Sequence, residues 1–186
     1  MPDRDEALNL LKQYLKDKKN IYHSLESEII MKALAQKLGE DESQWGIAGL
    51  LHDLDWELTQ EDFANHGLKA KKILEQNNYS PEIVHAVAAH NGENNGIFRE
   101  SRLDYAVICA ETITGLIYAA TLVRPDKKIA NLEVKSLKKK FKDKSFAANC
   151  SREAIKECEN LGLDLNEFFE LSIKAMAKIS DKIGLN

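Results

Sequence analysis

Five histidines stand among the 186 residues, His23, His52, His66, His85 and His90, and one of them is followed directly by an acid. In the run Gly49-Leu50-Leu51-His52-Asp53, an imidazole and a carboxylate emerge together at the end of an apolar segment. Neutral imidazole and carboxylate form a donor set for Zn, Fe, Mn, Co or Ni. Buried without a metal or a hydrogen-bond partner, each carries a desolvation cost. His52 and Asp53 are therefore ligand candidates. His66, in Ala64-Asn65-His66-Gly67, taken alone reads equally well as an ordinary helix-start residue. His85 lies about 140° around a helix from His90 and fits no ligand position, so a structural or surface role is expected for it. Asp55 has two readings, a partner that orients a ligating histidine or a cap at a helix end. Downstream, Asp104 and Glu111 fall two helical turns apart on one face.

These residues need elements to position them, and the sequence punctuates helices only. Asp3 with Glu6 forms a capping-box pattern ahead of Ala7, Leu8, Leu11, Tyr14 and Leu15, predicting a first helix to about Lys18. From His23, an apolar face through Leu25, Ile29, Ile30, Ala33, Leu34 and Leu38 runs to Gly39, a C-terminal cap. Asp41 opens a third helix ending at His52-Asp53, and a looser helix is expected over about Glu61 to Gln76. Ser80-Pro81 starts a helix to about His90. The segment Asn91 to Glu100 reads as a polar loop at a site rim. Ser101 with Asp104 caps a nearly all-apolar helix to about Val123, the expected central buried one. Further helices are expected over Ser151 to about Leu161 and Asp164 to Ile183. No alternating run is long enough for a strand. The fold class is all-α.

Composition agrees: 44% hydrophobic and 30% charged residues with 9 Gly and 3 Pro exclude disorder and favour helices. The length suits a single domain over residues 1–186. The most apolar stretch, Tyr105 to Val123, is interrupted by Glu111, Thr112, Thr114 and Thr121, and the N-terminus is acidic, so neither a membrane span nor a signal peptide is expected. Cys109, Cys150 and Cys158 follow no zinc spacing and read as reduced thiols of a cytoplasmic protein. Between Arg124 and Lys144, nine basic residues meet three acidic ones, a local balance of +6 within a chain of net charge -4. A chain this acidic is not expected to coat long nucleic acid, but the strip could meet a phosphate-bearing ligand or simply be a solvated face.

Taken in order, His23, His52-Asp53, His66, His90 and an acid on the next helix resemble the HD superfamily of metal-dependent phosphohydrolases over roughly residues 20 to 120. The resemblance implies an HD helical bundle with its core at about 20–123, and a C-terminal helical extension at about 124–186. Two histidines between the HD pair and the final acid are similar to the dinuclear members, which implies two divalent transition metal ions. By that resemblance His23 and His52 bind one metal, His66 and His90 the other, and Asp53 bridges them as the catalytic carboxylate. The superfamily pattern LDxxxxxAD falls on LDYAVICAE, which puts Glu111 in the last ligand position, with Asp104 matching the earlier acid.

The implied chemistry is hydrolysis of a phosphate ester or phosphoanhydride in a nucleotide-like small molecule by a metal-activated water. The same ligand order also suits a dinuclear-iron oxygenase, and a longer Glu in the last position leaves room for a non-catalytic nucleotide-binding module. Many HD hydrolases carry a Lys three residues after the HD Asp, where this chain has Trp56, which could stack on a base or cover the core. Phosphate-facing cations are then expected from Arg99 and Arg102 beside the rim loop, from Arg124, or from the lysine strip. The tail after Asp126 is expected to close the pocket or to supply a homodimer face.

Overall fold

The computed structural model describes residues 2–186, and among these there are helices and turns but no strand. Asp3 accepts from the backbone of Asp5 and Glu6 while Glu6 returns a bond to Asp3 N, which starts α1 (Arg4–Tyr14). The first helix stops short of Lys18. Asp17 accepts from Lys19 N and opens α2 (Lys18–Leu38), and the Glu57 carboxylate accepts from the free N–H groups of Lys16 and Asp17 between the helices. Gly39, at φ 73°, ends α2 in the left-handed region where a side chain would be strained.

Asp41 caps α3 (Glu42–Leu51), whose seven buried residues from Trp45 to Leu51 make it apolar nearly all round. It packs closely on α2. A Cβ on Gly49 would stand 2.7 Å from the Met31 side chain and 2.9 Å from the Ser27 carbonyl, so only glycine allows that approach. After α4 (Trp56–Thr59), the expected helix over Glu61 to Gln76 is broken in two. A 3-10 turn at Phe63–Asn65 leads to His66 in extended backbone and Gly67 at φ 84°, and α5 (Leu68–Gln76) begins after them. The break takes His66 off a helical path.

Pro81 sits in the first turn of α6 (Pro81–Ala89), followed by the short α7 (Gly92–Asn95) within the expected rim loop. The Ser101 and Asp104 capping box opens α8 (Arg102–Leu122), with thirteen buried residues. This helix is long and apolar enough to cross a membrane, and 61% of its most apolar window is buried by the rest of the protein. Helices α2, α3 and α6 pack around it.

The C-terminal part contributes α9 (Val134–Lys142), α10 (Arg152–Lys156) running into a 3-10 turn at Glu157–Leu161, α11 (Leu165–Ala177) and α12 (Ser180–Ile183). Helix α9 turns Leu137 and Phe141 inward against α11 and leaves its lysines largely in solvent. Arg152 ties down the irregular segment between α9 and α10. Its guanidinium donates to the carbonyls of Phe141, Asp143, Phe146, Ala147 and Cys150.

Candidate metal centre

His52 and Asp53 follow α3 directly, His23 comes from the second turn of α2, His66 from the broken turn before α5, His90 from the end of α6 and Glu111 from the middle of α8. Five separate segments thus meet at one point, the Asp53 carboxylate. Its Oδ2 lies 3.5 Å from His23 Nε2 and 3.4 Å from His52 Nε2. Its Oδ1 lies 3.1 Å from His66 Nε2 and 3.5 Å from His90 Nε2. Two donor groups result, His23-His52-Asp53 and Asp53-His66-His90, sharing the one acid.

The opposite ring nitrogens settle what the inward ones offer. His52 Nδ1 lies 2.8 Å from the Gly49 carbonyl and His90 Nδ1 against the Val87 carbonyl, and a carbonyl can only accept, so both Nδ1 atoms donate. His66 Nδ1 donates to Asp55 Oδ1 at 2.8 Å. The Thr114 hydroxyl gives its proton to the Glu111 carbonyl at 2.7 Å, which leaves its oxygen to accept from His23 Nδ1 at 2.9 Å. In the neutral rings every Nε2 is therefore a lone pair. Yet His23 and His52 Nε2 approach to 3.1 Å, and His66 and His90 Nε2 to 3.0 Å. Lone pairs aimed at each other beside a carboxylate repel unless a proton or a metal ion lies between them, and the donor set is that of a divalent transition metal. The residues fit the group.

Electrostatics agree. Burial, the largest influence, presses His23 down to about 4 and holds His90 below its ordinary range. At His66 burial is overridden by the carboxylates of Asp53 and Asp55, which raise it to about 9, and Asp53 likewise raises His52. Asp53 is itself held well below the usual carboxylate range, its burial outweighed by the surrounding imidazoles. The cluster draws positive charge inward.

Glu111 reaches the His23 side: Oε2 lies 3.8 Å from His23 Nε2, while Oε1 is turned to the Thr112 hydroxyl. Burial pushes it up to about 7. Asp104 is elsewhere. Its Oδ2 accepts from Glu100 N and Ser101 N at the start of α8 and pairs with His85 Nδ1 at 3.1 Å, so Asp104 and His85 together hold a helix end. Asp55 orients a histidine, as one reading of its position had it, but makes no cap to the adjacent helix α4 and caps α5 instead. One oxygen holds His66, and the other accepts from Gly67 N and Ala70 N to cap α5.

The three arginines expected to face phosphate do not line the site. Arg99 is engaged by Glu93 and Glu157, Arg102 by Glu40 and Arg124 by Asp126. Each guanidinium has found a nearer carboxylate, and Arg124 lies beyond the far end of α8. The lysine strip belongs to α9 and its flanks, and none of its lysines lines the cleft. Over the metal centre opens a cleft of about 740 Å³, lined among others by Trp56, Phe63, Asn91, Glu93, Glu153 and Glu157, and by no lysine or arginine.

Three contributors carry no clear mark in the sequence. Phe63 stacks on the His66 ring, centroids 5.6 Å apart at 25°, and Trp56 meets both rings edge-on. Asn91 donates to the carbonyls of Phe63 and His66, fixing the turn that carries both. Thr114 orients His23; its place one turn after Glu111 is the only signal that could have found it.

The HD domain family model matches residues 20–138, well over half of the chain. The chain belongs to the HD domain family. The match supports a metal-dependent hydrolase of the HD type, and the two donor groups around Asp53 are where an HD domain's divalent metals would sit in this chain. A ribonuclease Y of Sulfurovum sp. (strain NBC37-1) is 27% identical over 164 residues, covering 87% of this chain and 32% of its own length. A ribonuclease Y of Geobacter sulfurreducens is 30% identical over 115 residues, 61% of this chain and 22% of its own. For that of Clostridium perfringens (strain SM101) the figures are 28% over 131 residues, 70% and 26%. The chain thus spans a third or less of these relatives' length. No solved structure matches.

Proposed function

We propose that this HD domain is a dinuclear metal hydrolase of phosphate esters or phosphoanhydrides in nucleotide-like small molecules. The observation that carries the reading is the pairing at Asp53, one carboxylate oxygen facing two imidazole lone pairs and the other facing two more. A carboxylate so placed would contribute one oxygen to each of two ions. His23, His52 and Glu111 would hold one and His66 and His90 the other. Bound there, the metals supply a water acidified toward neutrality and neutralise charge that builds on the phosphoryl oxygens.

The protein's own contribution is orientation. Four Nδ1 contacts lock the rings so that no reorganisation is needed when substrate arrives. The relatives named ribonuclease Y support a phosphodiester or related phosphorus centre as the target. The cleft supports a small substrate over a long strand, because no lysine or arginine lines it and the cations nearest its acids, Arg99 and Lys156, are already engaged by Glu93, Glu157 and Glu153.

Elemental analysis of the protein purified without chelator, beside Asp53→Ala, tests this. About two equivalents of Fe, Mn, Zn, Co or Ni are expected in the wild type and none in the variant, with phosphoesterase activity lost by at least about 100-fold, the scale on which even outer partners of metal ligands act. A protein that takes up no metal on reconstitution, or one whose metal-loaded form turns over no phosphate ester, rejects the proposal.

A further inference from the structure

Phe63 is 45% exposed, beside a candidate metal centre whose histidines His52, His66 and His90 are buried. It is nonetheless held. His66 covers one side at 25° between ring planes, Trp56 braces an edge at 6.0 Å, and the Asn91 amide grips the Phe63 carbonyl at 2.9 Å. An aromatic ring braced on these sides and open to a cleft is a preformed surface for another flat π-system, at little cost in side-chain ordering.

The remainder of the cleft narrows what that system belongs to. Its lining offers amides at Asn20, Asn91, Asn94 and Asn149 and acids at Glu93, Glu153 and Glu157, but no lysine or arginine, and Arg99 beside it is already engaged by Glu93 and Glu157. A phosphate therefore finds positive charge only at the metal centre, and everything else in the ligand must be recognised by stacking and amide hydrogen bonds. A nucleobase carries both a π-face and an edge of donors and acceptors. A sugar phosphate or a polyphosphate tail carries no π-face.

We infer that Phe63, braced by Trp56, is the base-stacking platform of this cleft, and that the ligand is a mononucleotide unit with its phosphate at the metals and its base on Phe63. The inference rests on the hydrolase reading for the phosphate and adds the residue that selects the base.

Calorimetric titration of the metal-loaded protein tests it with two ligands that hydrolysis cannot consume, the methylene phosphonate analogues of adenosine 5′-monophosphate and of ribose 5-phosphate. Wild type is expected to bind the adenosine analogue about 10-fold or more tightly than the ribose analogue, the scale of one base–aromatic stack. In Phe63→Leu that ratio falls toward one while affinity for the ribose analogue holds. Phe63→Tyr, which keeps the ring, retains the ratio. Equal affinity for the two ligands in wild type, no binding of the adenosine analogue, or a ratio unchanged in Phe63→Leu overturns the inference. Because the readout is a binding ratio, it is separate from turnover. A wild type that hydrolyses phosphate esters with an unchanged ratio in Phe63→Leu loses the platform and keeps the hydrolase reading. One that shows the Phe63-dependent ratio without turnover does the reverse.

Discussion

The two halves of the metal centre are built from different materials. His23 and His52 rise from the long α2 and the end of α3, and their outer nitrogens meet neutral acceptors, the Thr114 hydroxyl and the Gly49 carbonyl. His66 stands on an irregular turn, and its outer nitrogen meets the charged Asp55. His23 is 29% exposed and His66 only 4%. A carboxylate behind an imidazole makes it a stronger donor and fixes it by a charge-assisted bond. His90, in the same half, meets a neutral carbonyl as His52 does, so it is the irregular segment at His66 that is the more firmly held electrostatically. Regular secondary structure is not what makes a ligand rigid here.

Asp55→Ala is the sharpest way to break that comparison. It removes the orienting bond to His66 and the cap of α5 together. Metal affinity of the His66–His90 half is expected to weaken by about 10- to 100-fold in a stepwise metal titration, with about 1 kcal/mol of folding stability lost in denaturant unfolding. An equal loss in both halves would mean that Asp53 couples them into one unit. The next effect is on pH. His66, raised to about 9, holds a proton at neutral pH that metal must displace, whereas His23, pressed down to about 4, holds none. Affinity should therefore fall as pH drops from 9 toward 6, by up to about tenfold per unit for one displaced proton. Calorimetry in buffers of different ionisation enthalpy counts the protons released on loading. The smallest effect belongs to Thr114→Val, which removes a neutral partner from His23 alone. About a tenfold loss confined to the His23–His52 half is expected in the same stepwise titration, at the low end of the range for outer partners.

Much of this was legible in the residues because the signals are local. Capping boxes at Asp3–Glu6 and Ser101–Asp104 act across three residues and appear as the spacing implies. The Gly39 cap and the Pro81 start are equally local. His52 and Asp53 show because a polar pair at the end of an apolar run is conspicuous, the other candidate histidines because their order resembles the HD superfamily, and all four histidines lie around Asp53. What escaped depends on tertiary neighbours. The partner of Arg102 could not be read from charge alone, since Glu40 lies 62 residues from it in the chain, whereas Arg124 pairs with Asp126 two residues on. The turn at His66 exists because Asp55, eleven residues earlier, pulls the backbone of Gly67 and Ala70 toward itself. Phe63 sits in a polar stretch with no periodicity to mark it.

The convergence on Asp53 also bears on how the chain folds. Occupation of the two donor groups would join residues 29 positions apart, His23 to His52, and residues 24 apart, His66 to His90. Ion ligation there acts as a cross-link between distant segments, closing chain loops whose entropy the folded state must otherwise overcome from packing alone. Metal that binds the native chain and not the unfolded one draws the population toward the native state in proportion to its free concentration. The ions that equip this site for chemistry would, by the same bonds, act as tertiary staples.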